Sequence, residues 1–184
     1  MGTVYLFLAE GFEEIEAISV VDILRRAGIN AKTISITGNK VVLGAHGIPV
    51  VADNVFEDED FSKAEMLVLP GGMPGASGLD AHKGLRELIL SIAKANKPLA
   101  AICAAPLVYG NLGLLKGKQA TCYPGFEKFL EGADLTREKA VVRDGLLITA
   151  EGPAAASAFA LEIVTFLLGK EQAAEIAKGM LVRN

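Results

Sequence analysis

The sequence predicts an α/β sandwich whose central sheet is mainly parallel. Short apolar runs recur along the chain, as is typical of strands buried on both faces. Segments with apolar residues at helical spacing lie between most of these runs, as in successive βαβ units. The chain has 184 residues, which is enough for one domain with a sizeable core but few for two. We therefore expect a single domain over residues 1–184.

The first half of the chain alternates predicted strands with predicted helices. Apolar runs indicate the strands, helical spacing indicates the helices, and glycines mark several of their ends. In chain order we predict a strand at 3–8, a helix from the loop at 9–14 to Gly28, a strand at 31–36, a hairpin of 41–43 with 48–51, a strand at 65–69 and a helix at 82–96. The inward face of the first helix is expected to consist of Ile15, Ile18, Val21, Ile23 and Leu24.

The second half begins with a four-residue apolar strand at 99–102 that runs directly into a helical segment. An Arg-Asp-Gly turn at 143–145 joins two further strands, and Gly152-Pro153 opens an apolar helix that Gly169 ends. The predicted elements after the strand at 99–102 are a helix starting at 104–109, a strand near 119–122, a brief helix around 126–130, strands at 141–142 and 146–149, the helix after 153 and a last helix at 171–178.

Composition excludes several classes of function. The net charge is −4 without a basic cluster, which argues against nucleic acid as a partner. No apolar run approaches the roughly 20 residues of a membrane span, and the amino terminus does not resemble a signal peptide. Two cysteines do not make a disulfide framework. We therefore expect a cytoplasmic protein that binds neither nucleic acid nor membrane.

Cys103 lies where the apolar strand at 99–102 turns into a helix. Such a turn projects its residue, as the nucleophile elbow of hydrolases does. The helix start offers unpaired N–H groups and a positive dipole end, which both favour a thiolate. Pro106 suits the first helical turn because the amides there lack intrahelical partners. The sequence thus predicts a reactive Cys103, the simpler alternative being a small buried core residue.

Three predicted loops follow strands at the same edge of the sheet, at 9–16, 70–75 and 103–106. Ligands of α/β sandwiches bind at the carboxyl ends of the strands. We therefore expect Glu16, Gly72 and Cys103 to meet. Pro70-Gly-Gly72 lets the backbone approach a ligand closely, so the amides of Gly72 and Ala104 are candidate oxyanion donors. A tight turn at a strand end is the simpler interpretation of the two glycines.

Three carboxylates, of Glu13, Glu14 and Glu16, crowd the first turn of the first helix. Complementation of the helix dipole is a sufficient explanation for two of them. Glu16 differs because, at about 100° per residue, it aligns with Phe12 and neighbours apolar positions. A carboxyl partly buried near a thiol has a raised pKa, and it can donate a hydrogen bond to a thiolate or move protons.

The remaining polar residues carry weaker signals. The two histidines are isolated, so we expect no structural zinc site and no cofactor. His82 is expected at the surface, whereas His46 is either a loop residue or an auxiliary group near the site or a subunit interface. The acidic run 57–60 is expected to be solvated. Cys122 is interpreted as a packed residue, or else as a resolving thiol for an oxidised Cys103.

Six segments that run through the chain in order carry a family resemblance: 8–16 (LAEGFEEIE), 21–29 (VDILRRAGI), 68–72 (VLPGG), 101–106 (AICAAP), 144–149 (DGLLIT) and 152–153 (GP). Together they resemble the ThiJ/PfpI superfamily, and within it the branch of the parkinsonism-associated protein DJ-one and bacterial YajL. The resemblance implies a flavodoxin-like three-layer sandwich, with a nucleophile elbow like that of class I glutamine amidotransferases, and a homodimer. It also implies that Cys103 is the oxidisable cysteine, that Glu16 hydrogen-bonds its sulfur, and that Gly72 and Ala104 supply amides.

The resemblance leaves two functions open. One is a cofactor-independent glyoxalase or deglycase that acts on dicarbonyls such as methylglyoxal or on glycated protein. The other is a redox-responsive stress protein or chaperone whose cysteine becomes a sulfinate. The family member used for comparison has a histidine where Tyr123 stands and an arginine where His46 stands, so Tyr123 is a possible auxiliary residue. No histidine follows Cys103, which argues against amidotransfer and papain-like proteolysis.

Overall fold

The computed structural model describes residues 2–182, in which strands and helices alternate along the chain. The strands are β1 Thr3–Leu8, β2 Ala31–Ser35, β3 Val41–Leu43, β4 Pro49–Val51, β5 Asn54–Val55, β6 Ala64–Leu69, β7 Leu99–Ile102, β8 Gln119–Ala120, β9 Asp134–Leu135, β10 Val141–Asp144 and β11 Leu147–Ala150. The helices are α1 Glu14–Arg26, α2 Gly75–Ala81, α3 Lys83–Lys94, α4 Pro106–Asn111, α5 Ala156–Leu168 and α6 Lys170–Gly179.

Seven of these strands form one sheet in the order β10-β11-β7-β6-β1-β2-β5. Neighbouring strands are parallel throughout except for β10 and β11, which pair antiparallel. Helix α1 packs against α5, and α2 packs against α3 and α4, so helices flank the sheet. The predicted α/β sandwich with a mainly parallel sheet is confirmed.

The strand order creates a crevice at the carboxyl edge of the sheet. From β1 the chain proceeds to β2 on one side, whereas β6 and β7 lie on the other side. This reversal is the topological switch point at which open α/β sheets bind ligands. The loops after β1, β6 and β7 therefore open into the same region.

Burial explains why the central strands read as continuous apolar runs. Every residue of β1 and β7 is buried, as expected for parallel strands covered on both faces. Since burying an apolar side chain of this size contributes about 1.5–3 kcal/mol, this sheet supplies much of the stabilising core. Among residues 2–182, no helix combines the length and the apolar character that a membrane crossing requires.

The inward face predicted for α1 is wrong at two positions. Ile15 is 57% exposed and Ile18 is 44% exposed, whereas Val21, Ile23 and Leu24 are buried as predicted. The buried stripe of α1 instead runs through Glu16, Ala17 and Val20. At 3.6 residues per turn, Ile15 and Ile18 lie away from this stripe. The helix therefore exposes apolar side chains because a carboxyl occupies its core face.

Two polar regions also differ from expectation. His82, expected at the surface, is mostly buried; its Nδ1 accepts a hydrogen bond from the Leu85 amide at 3.0 Å and caps α3. Its ring packs edge-on against Phe56, with the centroids 4.7 Å apart. In the acidic run at 57–60, the carboxylate of Glu59 is buried and pairs with Lys32 at 2.9 Å instead of being solvated. The local sequence did not predict these two arrangements, because Phe56 packs against His82 and Lys32 pairs with Glu59 across more than 20 residues of chain.

Candidate active site

Cys103 follows β7 and adopts a left-handed backbone conformation, with φ of 64°. This region is sparsely populated by residues with a side chain, so tertiary contacts must hold it. The Cys103 N–H donates to the Ala150 carbonyl at 2.8 Å, and the Cys103 carbonyl accepts from the Tyr123 amide at 2.8 Å. The chain then enters α4 with Pro106 at the helix start. The result is a fixed strand–turn–helix elbow with the thiol at its apex.

The sulfur of Cys103 lies at the meeting point of the three loops. The Gly72 and Ala104 backbone N–H groups and the Glu16 carboxyl, which comes from the first turn of α1, all lie close enough to this sulfur to influence its ionisation. The side chain is buried, as the alternative of a small core residue requires. Donors converging on a buried sulfur, however, are not needed for packing. The structure therefore brings together the three residues expected to meet, Glu16, Gly72 and Cys103, and the Ala104 amide lies beside them.

Glu16 is an acid placed in the protein core, with 0% of its surface exposed. Its Oε2 accepts a hydrogen bond from the Gly71 amide at 2.7 Å. Its Oε1 is buried, and no group within residues 2–182 hydrogen-bonds to it. Burial raises the pKa of Glu16 to about 7, although the Gly71 amide and the Cys103 thiol both act to lower it. Near neutral pH the carboxyl can therefore hold a proton and serve as a donor.

The thiol and the carboxyl control each other's ionisation. Burial in the first place, and the neighbouring Glu16 in the second, raise the pKa of Cys103 to about 12 against the lowering effect of the Gly72 and Ala104 amides. The expectation that the helix start favours a thiolate is therefore wrong for this site, because burial and the charge of Glu16 outweigh the lowering effect of the amides. Protonation of Glu16 removes its charge and turns its O–H into a donor. A thiolate on Cys103 thus requires the proton to reside on Glu16.

The backbone at 71–72 approaches the site too closely for side chains. A Cβ on Gly71 would lie 2.6 Å from the Cys103 Cβ and 2.8 Å from Glu16 Oε2. Gly72 has φ of 87°, a conformation that favours glycine. Gly71 therefore leaves room for the thiol and the carboxyl, and Gly72 allows the backbone to turn.

Gly71→Ala is expected to disrupt the site, because the new methyl group must displace the thiol or the carboxyl. We expect a loss of about 1–3 kcal/mol in unfolding free energy, as for other overpacked cores, together with altered alkylation of Cys103. Urea unfolding and mass-spectrometric alkylation kinetics measure both effects. Gly179→Ala is the matched control, since a Cβ there meets no atom within 4 Å. Equal behaviour of the two variants would contradict this account of the site.

The auxiliary candidates lie in different places. Tyr123 is half-exposed, and its amide hydrogen-bonds to Cys103, as noted above. Its ring lies over Gly152, where a Cβ would come 3.1 Å from Tyr123 Cδ2. His46 instead contacts the start of α1, with its Nδ1 3.0 Å from Glu14 Oε2. The sequence analysis missed this pair because His46 and Glu14 are 32 residues apart.

Cys122 is buried and, like Cys103, is a free thiol. It lines a cavity of about 120 Å³ together with polar side chains that include Arg137 and Glu151, and Cys103 does not line this cavity. Burial raises the pKa of Cys122 to about 11. These features fit the prediction of a packed residue better than that of a resolving thiol.

Comparison with known proteins gives consistent matches across the chain. Residues 2–166 match the sequence model of the DJ-1/PfpI family. Drosophila melanogaster protein dj-1beta is 36% identical over 96% of this chain and 95% of its own length. Arabidopsis thaliana protein DJ-1 homolog B is 37% identical over 96% of this chain, which spans only 40% of that longer protein. The crystal structure of Drosophila DJ-1beta superposes with a TM-score of 0.95 at 36% identity, covering 100% of this chain and 99% of the other. Oxidised Toxoplasma gondii DJ-1 superposes with a TM-score of 0.95 at 34% identity and covers both chains fully, 100% of each.

Proposed function

The chain belongs to the DJ-1/PfpI family, and from this premise we propose that it is a cofactor-independent enzyme that converts reactive dicarbonyls such as methylglyoxal to hydroxy acids. The family includes stress-response proteins and glyoxalase- or deglycase-like proteins. The observation that carries the proposal is the fully buried Glu16 carboxyl beside the Cys103 thiol, under the amides of Gly72 and Ala104. The same chemistry would act on early glycation adducts of proteins.

The first step joins the sulfur to the substrate. With its proton on Glu16, the Cys103 thiolate adds to the aldehyde carbon of methylglyoxal and forms a carbon–sulfur bond. The aldehyde oxygen gains negative charge and then takes the proton from Glu16, which gives a hemithioacetal. The amides of Gly72 and Ala104, which lie close to the sulfur, would stabilise this oxyanion.

The second step moves a proton between adjacent carbons. The Glu16 carboxylate removes the proton of the former aldehyde carbon, and the hydroxyl proton of that carbon passes to the adjacent ketone oxygen, which gives the anion of an enediol. Glu16 then returns a proton to the neighbouring carbon, so that the hemithioacetal becomes a thioester of lactate. A pKa of about 7 suits this double role, because the group must both accept and donate near neutral pH. Water finally adds to the thioester, the carbon–sulfur bond breaks, and lactate leaves with Cys103 regenerated.

A redox-responsive stress protein is the second candidate, and one similar structure favours it. That structure is of oxidised Toxoplasma gondii DJ-1. Here, one peroxide molecule would convert the Cys103 thiolate to a sulfenate and a second would convert the sulfenate to a sulfinate, whose oxygens would accept hydrogen bonds from the surrounding amides and from protonated Glu16. Turnover separates the two candidates, since a sensor reacts once and an enzyme cycles.

The test is lactate formation from methylglyoxal in the absence of glutathione. We expect lactate to exceed the subunit concentration many times over and to accumulate linearly. Cys122→Ala is the matched control and should retain this activity, since Cys122 lies outside the site. No lactate beyond one molecule per subunit, with two oxygens added to Cys103 by peroxide, would overturn the enzyme and favour the sensor.

We also propose that the protein is a homodimer in a reducing, cytoplasmic compartment. Two free cysteines, one of them placed for reaction, suit reducing conditions. DJ-1 family proteins are commonly dimeric. Helix α1 and the β3–β4 hairpin, which the hydrogen bonds of Glu14 to His46 and Ile48 hold together, expose six apolar side chains that we call the apolar patch: Ile15, Ile18, Val41, Leu43, Ile48 and Val51. Patches of this kind mark protein interaction sites.

Ile15→Glu is expected to convert the dimer to a monomer, because it places a charge in the apolar patch. Light scattering after size-exclusion chromatography should give twice the subunit mass for the parent and one subunit mass for the variant. Leu90→Glu is the control, since Leu90 is similarly exposed but lies on α3 outside the patch. A parent of single-subunit mass would refute the dimer.

A further inference from the structure

A second cluster of titratable side chains lies at the start of α1, separate from the contacts of the Cys103 sulfur. It consists of Glu13, Glu14 and His46, which we call the Glu-Glu-His cluster. His46 Nδ1 lies 3.0 Å from Glu14 Oε2 and 3.6 Å from Glu13 Oε2. One ligand atom from each residue lies within 4.8 Å of the other two. Nitrogen and oxygen donors at such spacing can share one small cation.

The turn of the β3–β4 hairpin builds this cluster. Glu14 Oε1 accepts hydrogen bonds from the backbone amides of His46 at 2.8 Å and Ile48 at 3.3 Å. Gly44 makes this possible, since a Cβ there would collide with the Glu14 carboxyl. These bonds fix the carboxylate plane and leave Oε2 with the imidazole as its partner. Glu14 is therefore held in place by backbone groups before any ligand arrives.

Glu13 provides an independent observation. Its side chain is only 11% exposed, and within residues 2–182 no N–H or O–H group donates a hydrogen bond to its carboxylate. Its polar contact is the His46 imidazole at 3.6 Å, beyond hydrogen-bond range. Two carboxylates so close together repel each other, and among the described residues Glu13 lacks a hydrogen-bond donor that would offset this electrostatic cost. A cation shared by both carboxylates would relieve this cost.

We propose that the Glu-Glu-His cluster binds a divalent cation of the Zn²⁺ class through Glu13 Oε2, Glu14 Oε2 and His46 Nδ1. Imidazole together with carboxylates suits Zn²⁺, whereas Mg²⁺ prefers an all-oxygen set. In the single subunit His46 is 66% exposed, so that water can supply further ligands on the outer side of the cluster. The cation replaces the proton on Nδ1 and cross-links the start of α1 to the hairpin turn. The sequence analysis expected no structural zinc site because the two histidines are isolated, and it did not consider His46 together with Glu13 and Glu14.

Calorimetric titration with ZnCl₂ tests the proposal on a protein whose two cysteines are replaced by alanine, so that thiols cannot bind the metal. The variants are His46→Ala and Glu13→Gln, neither of which removes the Glu14 contacts to the hairpin amides. His82→Asn is the matched control, because His82 is the other of the two histidines and asparagine preserves a helix cap.

We expect one Zn²⁺ per subunit, and a weakening of at least about tenfold in His46→Ala and Glu13→Gln, since even partners outside the ligand set change metal affinity by that much. The control should bind as the thiol-free parent does. Zn²⁺ should also raise the melting temperature of the thiol-free parent but not that of His46→Ala. No binding by the thiol-free parent, or equal binding by His46→Ala, would overturn the proposal. Neither result depends on dicarbonyl turnover.

Discussion

Replacement of Cys103 by alanine should lower lactate formation by at least about a thousandfold, because the covalent route to the hemithioacetal is lost. Serine at this position should be equally inactive despite its similar size. A serine hydroxyl ionises far less readily than a thiol, and the site offers Glu16 rather than a histidine as its base. Steady-state kinetics on purified variants provide the measurement.

The controls for this prediction address folding as well as chemistry. Cys103→Ala removes a residue whose backbone has φ of 64°, and alanine tolerates that conformation no better than cysteine does. Equal circular dichroism and urea midpoints would therefore show that the loss is chemical. Turnover by Cys103→Ala at a rate near that of the parent would contradict the covalent mechanism outright.

Glu16→Gln should lower turnover by about a hundredfold to ten-thousandfold, the usual range for loss of a general acid–base group. Glutamine preserves the shape of the side chain and can accept from the Gly71 amide, but it cannot carry a proton between carbons. Glu10→Gln is the matched control, since Glu10 lies exposed in the same loop. Both variants are assayed with methylglyoxal under the conditions used for the parent.

The same substitution should change the pH dependence of stability. The pKa of Glu16 is raised from 4.5 to about 7 on folding, so the folded protein retains its proton between these values. Because the folded protein binds this proton more tightly than the unfolded chain does, the contribution of Glu16 to the free energy of unfolding is fully present below pH 4.5 and is lost as pH rises through 7. Glutamine does not titrate, so the advantage of Glu16→Gln over the parent should grow by up to about 3 kcal/mol between pH 4.5 and pH 8.

Urea unfolding at several pH values measures this advantage. The Glu10→Gln control should show a difference from the parent that does not vary with pH in the same way, because Glu10 is exposed. A pH-independent difference between Glu16→Gln and the parent would mean that Glu16 is ionised throughout, and the proton-shuttle role would fail with it.

The sequence was sufficient to predict the centre of the site, for a physical reason. Parallel strands deliver the residues after their carboxyl ends to one edge, so Glu16, Gly72, Cys103 and Ala104 could be grouped without coordinates. The strands β1 and β7 could be predicted from their apolar runs, because strands buried on both faces contain few polar residues. Local patterning and topology therefore identified the strand-end loops.

Contacts between distant segments could not be predicted in this way. Ile15 and Ile18 look like core residues until the core face of α1 is known to hold Glu16. The pairing of Glu14 with His46 depends on how the β3–β4 hairpin folds over α1, which no local pattern encodes. The ionisation of Cys103 likewise follows from burial and a neighbouring charge rather than from its place at a helix start.

Proton NMR of the reaction in D₂O tests the central claim that Cys103 and Glu16 isomerise a dicarbonyl through an enediol. The account predicts lactate in large excess over subunits, with deuterium at carbon 2 because the Glu16 proton exchanges with solvent before it is returned. Lactate whose carbon-2 hydrogen comes entirely from the substrate, together with undiminished turnover by Glu16→Gln, would remove Glu16 from the mechanism. No lactate beyond one molecule per subunit would contradict the enzyme itself.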